Sequence, residues 1–173
     1  MKPFIGIKKI WYGEPIAEAL TAEKLKTWLG TAKEVTNSHQ DTWSYTQDDP
    51  SVTDYINELS GKPYYRDMLN AGNKTITFTL GVYSFEDRVA LIGGEVIEEG
   101  AGWAAPRNPE LVYKAVVGQT KTGNYIVFTN AGIVAKTNTV EKNLGLGVTA
   151  VAMDNEVVEV ADEYMFDGEK VDA

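Results

Sequence analysis

Few residues in this chain are able to do covalent or acid–base chemistry, and their spacing favours none. His39 is the single histidine, and cysteine is absent. A histidine-dependent nucleophile would have to run through His39. That residue sits in the polar, turn-like run Asn37-Ser38-His39-Gln40-Asp41, with no nucleophile elbow nearby. Lack of cysteine removes disulfides, thiolate nucleophiles and Cys-containing zinc sites. Asp48-Asp49 and Glu98-Glu99 are adjacent acids. Neighbours on a strand face opposite ways, so each pair alone makes a poor acid–base site and reads as solvated turn residues. Gly93-Gly94 and Gly100-Ala101-Gly102 follow no phosphate-loop or dinucleotide spacing and read as caps and turns. The expectation is a protein that is not an enzyme and holds no cofactor or metal.

The residues that stand out are large aromatics. Trp43, Tyr45, Tyr55, Tyr64 and Tyr65 crowd a stretch broken by Pro50 and Pro63. Three readings stay open for them: folded back as core, an interface between subunits, or a carbohydrate platform. Tyr and Trp give rigid contact area at low entropic cost, which suits an interface. The candidate interface residues are Trp43, Tyr45, Pro50, Tyr55, Tyr64 and Tyr65.

The elements that must position them are mainly strands. Residues 4–12 form a first strand. Residues 21–29 form the main helix, with Ala22, Leu25, Trp28 and Leu29 on one face, Thr21 as cap and Gly30 as stop. Residues 34–36 make a short strand. Residues 42–73 read as a long loop, with extended pieces at 42–46 and 52–59; such loops in compact domains are functional or disordered. Residues 75–83 alternate: Ile76, Phe78, Leu80 and Val82 on one face, Thr75, Thr77 and Thr79 on the other. A short helix over 84–92 follows, capped by Ser84 and Asp87 and ended by Gly93-Gly94. Strands at 112–120 and 125–128 flank the turn Lys121-Thr122-Gly123-Asn124. Asn130 and Gly132 mark a bulge before 133–136. Residues 144–153 alternate again, with Leu144, Leu146, Val148, Ala150 and Ala152 on one side. This predicts a mainly β, α+β fold: a β-sandwich or partly closed barrel with one main helix and one short helix, in a single domain over 1–153.

The chain has 173 residues, enough to bury a core without staples, and a formal charge of −9. Residues 154–173 hold eight acids against Lys170 alone, so the preceding body is nearly balanced. That argues against a nucleic-acid binder with a basic face, and the acidic segment reads as a solvated tail. The N-terminus MKPFIGIKKIWY lacks the apolar region and cleavage site of a secretory signal. No stretch approaches the ~18 consecutive apolar residues of a membrane span.

The order of features resembles the major tail tube proteins of phages and prophages. The residues that carry it are Thr75-Ile76-Thr77-Phe78-Thr79-Leu80-Gly81 with the helix to Gly93-Gly94, and Lys114-Ala115-Val116-Val117 through Tyr125-Ile126-Val127-Phe128. Ala131-Gly132-Ile133-Val134-Ala135 and Leu144-Gly145-Leu146-Gly147-Val148-Thr149-Ala150 complete the set. The resemblance covers residues 3–153. It implies a fold shared with type VI secretion tube proteins and hexameric rings that stack into a conduit through which DNA passes without specific binding. It also implies copies of itself, a tape measure and a terminator as partners, and a place in the virion tail after synthesis in the host cytoplasm. The long loop would then be ordered by a neighbour in the ring or the next ring. A non-catalytic, lectin-like β-sandwich using the same aromatics is the alternative.

Overall fold

The computed structural model describes residues 1–172. The chain is mainly β with a smaller helical part, as the alternation predicts. Its first strand, β1 (Lys9–Gly13), is shorter than expected because Gly6 sits at φ +62° and interrupts the extended run before it. Helix α1 (Ala22–Thr31) starts at Thr21, whose hydroxyl accepts the Lys24 N–H at 3.3 Å. Gly30 does not end it. The helix runs on to Thr31 and closes where Ala32 donates its N–H to the Trp28 carbonyl. The short strand predicted at 34–36 is β2 (Lys33–Glu34).

Next comes the largest departure from expectation. Residues 42–73 hold three strands: β3 (Ser44–Gln47) and β4 (Ser51–Asn57) fall on the extended pieces expected at 42–46 and 52–59, while β5 (Lys62–Asn70) occupies what reads as loop. β6 (Lys74–Leu80) follows and stops before Val82, which is exposed where the chain turns into α2 (Phe85–Leu91). β7 (Glu95–Ile97) and β8 (Gly102–Ala104) form a small hairpin that sequence patterning does not reveal. β9 (Val112–Gln119), β10 (Tyr125–Val140) and β11 (Asn143–Ala152) make up the centre of the fold. The turn between β9 and β10 places Gly123 at φ +101°, and the expected bulge lies between Phe128 and Ala131.

The acidic segment is no solvated tail. Its β12 (Glu163–Phe166) pairs antiparallel with Tyr125–Phe128 of β10, and α3 (Gly168–Val171) closes the chain against α1. Val160 is 5% exposed and Val171 1%. A count of acids conceals these valines, which anchor the segment while its carboxylates face water, meet cations or accept hydrogen bonds, as Glu163 does from Tyr45 and Asp172 from Tyr125.

The main sheet runs β2-β1-β9-β10-β11-β6-β3, with β12 also on β10. It curls without closing, and alternate residues of β1, β9 and β10 serve two cores. Ile10, Tyr12, Val116, Ile126 and Phe128 face inward toward Ile76, Phe78, Leu146 and Val148 of the opposite wall. Trp11, Ala115, Val117, Tyr125 and Val127 face outward, under Leu25 of α1 and Val171 of α3. The gap between β3 and β12 is spanned by side chains. Tyr45 donates its hydroxyl to Glu163 at 2.8 Å, and Lys74 reaches Glu163 at 2.9 Å and Asp162 at 3.3 Å. Burial, then the Glu163 carboxylate, pushes the Tyr45 hydroxyl well above the ordinary tyrosine range. Burial alone would lower Lys74, but its two carboxylate partners outweigh that and hold its ammonium above 10.5.

Helix α2 is fixed by one carboxylate. Asp87 accepts the Tyr12 hydroxyl at 2.5 Å and, on its other oxygen, the Ser84 N–H at 2.9 Å and hydroxyl at 3.1 Å. Burial alone would raise Asp87; hydrogen bonds from Tyr12 and Ser84, with Lys33 nearby, prevail and hold it below the ordinary 3.8. A folded value below the unfolded one stabilises the fold above 3.8, and that contribution fades as pH falls through the lower folded value. Asp87→Asn is expected to lower stability by about 2 kcal/mol at neutral pH. It should also flatten the acid limb of the stability curve. Denaturant unfolding at neutral and acid pH checks both effects.

Candidate self-assembly surface

Among the described residues, β4 and β5 pair only with each other and project from the body as an arm. Its location follows from register. β3 and β6 are antiparallel neighbours ending at Gln47↔Lys74, and the Asp48 N–H donates to the Asn73 carbonyl at 2.9 Å. The arm is thus an insertion at the tip of the β3–β6 hairpin. Its neck needs glycine: Gly72 has φ +84°, and a Cβ there would lie 2.0 Å from the Asp48 carbonyl oxygen.

Within the arm, Tyr55 faces Tyr65 across the ladder with ring centroids 5.7 Å apart. Next along, Arg66 holds Asp54 by two hydrogen bonds of 2.5 and 2.9 Å. Those bonds, and then the guanidinium charge, keep the Asp54 carboxyl below its ordinary value. Strand alternation puts Tyr55, Tyr65, Thr53 and Asp67 on one face, and Val52, Met68, Asp54 and Arg66 on the other. Neither face is covered. Leu59 at the tip is 97% exposed and Tyr64 70%, and Ile56, Tyr65, Met68 and Leu69 are also exposed. A two-stranded hairpin alone is marginal in water. Apolar side chains left bare on both its faces mark a contact surface.

The candidate aromatics divide in two. Tyr55, Tyr64 and Tyr65 lie on the arm, and Pro50 is exposed at its base. Trp43 and Tyr45 instead pack at home. Trp43 covers Gly118, where a Cβ would meet its ring at 2.5 Å, and Tyr45 leans on Phe128 with ring centroids 6.1 Å apart. Sequence reasoning passed over Val52, Ile56, Leu59, Met68 and Leu69. The alternation that marks a half-buried strand has no meaning where both faces are open.

The body has an open sheet edge as well. Residues 125–133 of β10 are flanked by β9 on one side, with β12 and then β11 on the other. Beyond Ile133, β9 has ended, so residues 134–140 pair with β11 alone. Val134, at 58% exposed, begins this stretch, whose side away from β11 meets no strand among the described residues but is reached at the Thr137 hydroxyl by Arg88 of α2, 3.0 Å away. Such an edge is a template for another strand.

The residues first weighed for chemistry stand apart. His39 Nε2 lies 3.4 Å from the Glu141 carboxylate, and its backbone N–H donates to the Thr79 carbonyl, at the end of β6 away from the arm. Asp48 and Asp49 sit at the neck, and Glu98 and Glu99 form a tight turn with φ +52° and +53°. Among the described residues, no three His, Asp or Glu side chains cluster as metal ligands would, and no helix is long and apolar enough to cross a membrane. Compared with known proteins, the chain matches no family model and no curated protein.

Proposed function

We propose that this protein is a structural subunit that assembles with copies of itself, as a phage or prophage tail tube subunit does. In this reading, rings stack into a conduit for DNA in the virion tail. The observation that carries it is the arm: a hairpin with exposed apolar and aromatic side chains and no strand partner beyond itself among the described residues. The open edge of β10 supports it, since a neighbour's strand satisfies the unpaired backbone there. Arm and edge are different patches on one chain, so contacts between copies are head-to-tail. Such contacts close into rings or propagate as tubes. The tape measure and terminator belong to this proposal as partners at the tube's interior and end. The tilt between Tyr55 and Tyr65, 46° between ring planes, favours side-chain packing over a flat sugar platform.

Negative-stain microscopy of concentrated protein, with mass measurement in solution, tests the proposal. Rings or tubes are the expected result. Compact two-fold dimers, with the arms buried against each other and no higher species, would contradict it.

A further inference from the structure

Beyond assembly, and independently of it, we infer that the cleft between residues 6–10, residues 35–43 and Lys121 binds a small phosphate monoester. The cleft measures about 530 Å³, a volume suited to a small molecule. Three lysines, Lys8, Lys9 and Lys121, line it against one carboxylate, Asp41. Lys9 is engaged by Glu34 at 3.2 Å, and His39 by Glu141 at 3.4 Å. Lys8 and Lys121 form no ion pair among the described residues. The cleft therefore keeps a positive balance after Asp41 is counted, in a chain whose formal charge is −9. A cleft of one sign concentrates ions of the other.

Local structure sets the two lysines in place. The stem of Lys121 lies across Gly6, where a Cβ would sit 3.0 Å from its Cδ and 3.3 Å from its Cγ and Cε. The Lys121 N–H donates to the Ile5 carbonyl at 3.0 Å, and the Lys8 N–H to the Gln119 carbonyl at 2.7 Å, so both walls are tied to the end of β9. Ser38, Gln40 and Trp43 also line the cleft, and their side chains make no hydrogen bond among the described residues. A hydroxyl, an amide and an indole N–H can each donate. Trp43 and Ile7, packed over Gly118, add an apolar floor.

A phosphate monoester carries nearly two charges at neutral pH and three terminal acceptor oxygens. That matches two cations and three donors, and the apolar floor takes the organic part. A carboxylate, with one charge and two oxygens, leaves partners unused. Two lysines at one point are not the extended basic stripe that a nucleic-acid backbone needs.

Titration calorimetry of the full chain at low salt tests the assignment, with AMP, glucose 6-phosphate, inorganic phosphate and acetate as probes. At least one monoester is expected to bind about tenfold more tightly than inorganic phosphate or acetate. Lys8→Ala and Lys121→Ala are each expected to weaken it about tenfold, as loss of a hydrogen bond to a charged group does. Asp41→Asn should tighten it, because the opposing carboxylate is gone. All three positions are exposed, so the fold is kept, and circular dichroism verifies that. No binding of either monoester at about 10 mM, equal affinity for inorganic phosphate, or binding indifferent to both lysine variants would each overturn the assignment.

Discussion

Replacing residues 49–72 with an Asn-Gly turn is expected to leave a folded chain that no longer assembles. Local geometry makes this a clean cut. Gln47 and Lys74 are already paired, and Asp48 and Asn73 already share a backbone hydrogen bond, so a tight turn completes a hairpin whose end exists. The arm adds nothing to either core, which are built from β1, β6, β9, β10, β11 and the helices. Stability should therefore change by no more than about 1 kcal/mol, as for surface changes away from packed groups. Assembly should be lost altogether, because the apolar surface that drives it is gone. Circular dichroism and thermal unfolding report the first result, and mass in solution the second. Tubes formed by the shortened chain would remove the arm from the account.

The second large effect is expected at the other end of the chain. Ending the protein at Met153 should cost about 5 kcal/mol or more, comparable with the whole stability of a domain of this size. The truncation removes buried Val160 and Val171 and uncovers Val127 and Tyr125. It strips β12 from the Tyr125–Phe128 edge of β10. It also orphans Thr129, whose hydroxyl donates to the Ala161 carbonyl at 2.7 Å, and Asn124, whose side chain accepts the Gly168 N–H at 3.2 Å. Lys74 and Tyr45 lose their carboxylate partners at the seam. A denaturant midpoint close to that of the full chain would return residues 154–172 to the status of a tail.

These effects show where sequence patterning succeeds and fails. β6, β9 and β11 are legible because each buries one face or lies in the sheet's centre, so apolar residues recur with a strand's period. Ile76, Phe78 and Leu80 point inward as the alternation requires. The Ser84–Asp87 capping box and the turn at Gly123 are equally legible, since local hydrogen bonding and a positive φ select those residue types. The arm escapes the same method for a physical reason. With solvent on both faces, no selection for alternation acts on β4 and β5, so β4 shows only as the extended piece at 52–59 and β5 is hidden among aromatics that look like a crowded loop. Residues 154–172 escape because charge dominates the composition, while two valines and four strand residues do the anchoring. Trp43 shows the remaining limit. Its contact with Gly118 joins positions far apart in the chain, and nothing local separates it from the tyrosines of the arm.

Amide hydrogen exchange of the arm across a concentration series tests the central claim most directly. If sister copies order the arm, amides in residues 51–70 become protected in step with the rise in mass, while the cores stay protected throughout. Assembly that leaves the arm exchanging as fast as it does in dilute protein would contradict the account.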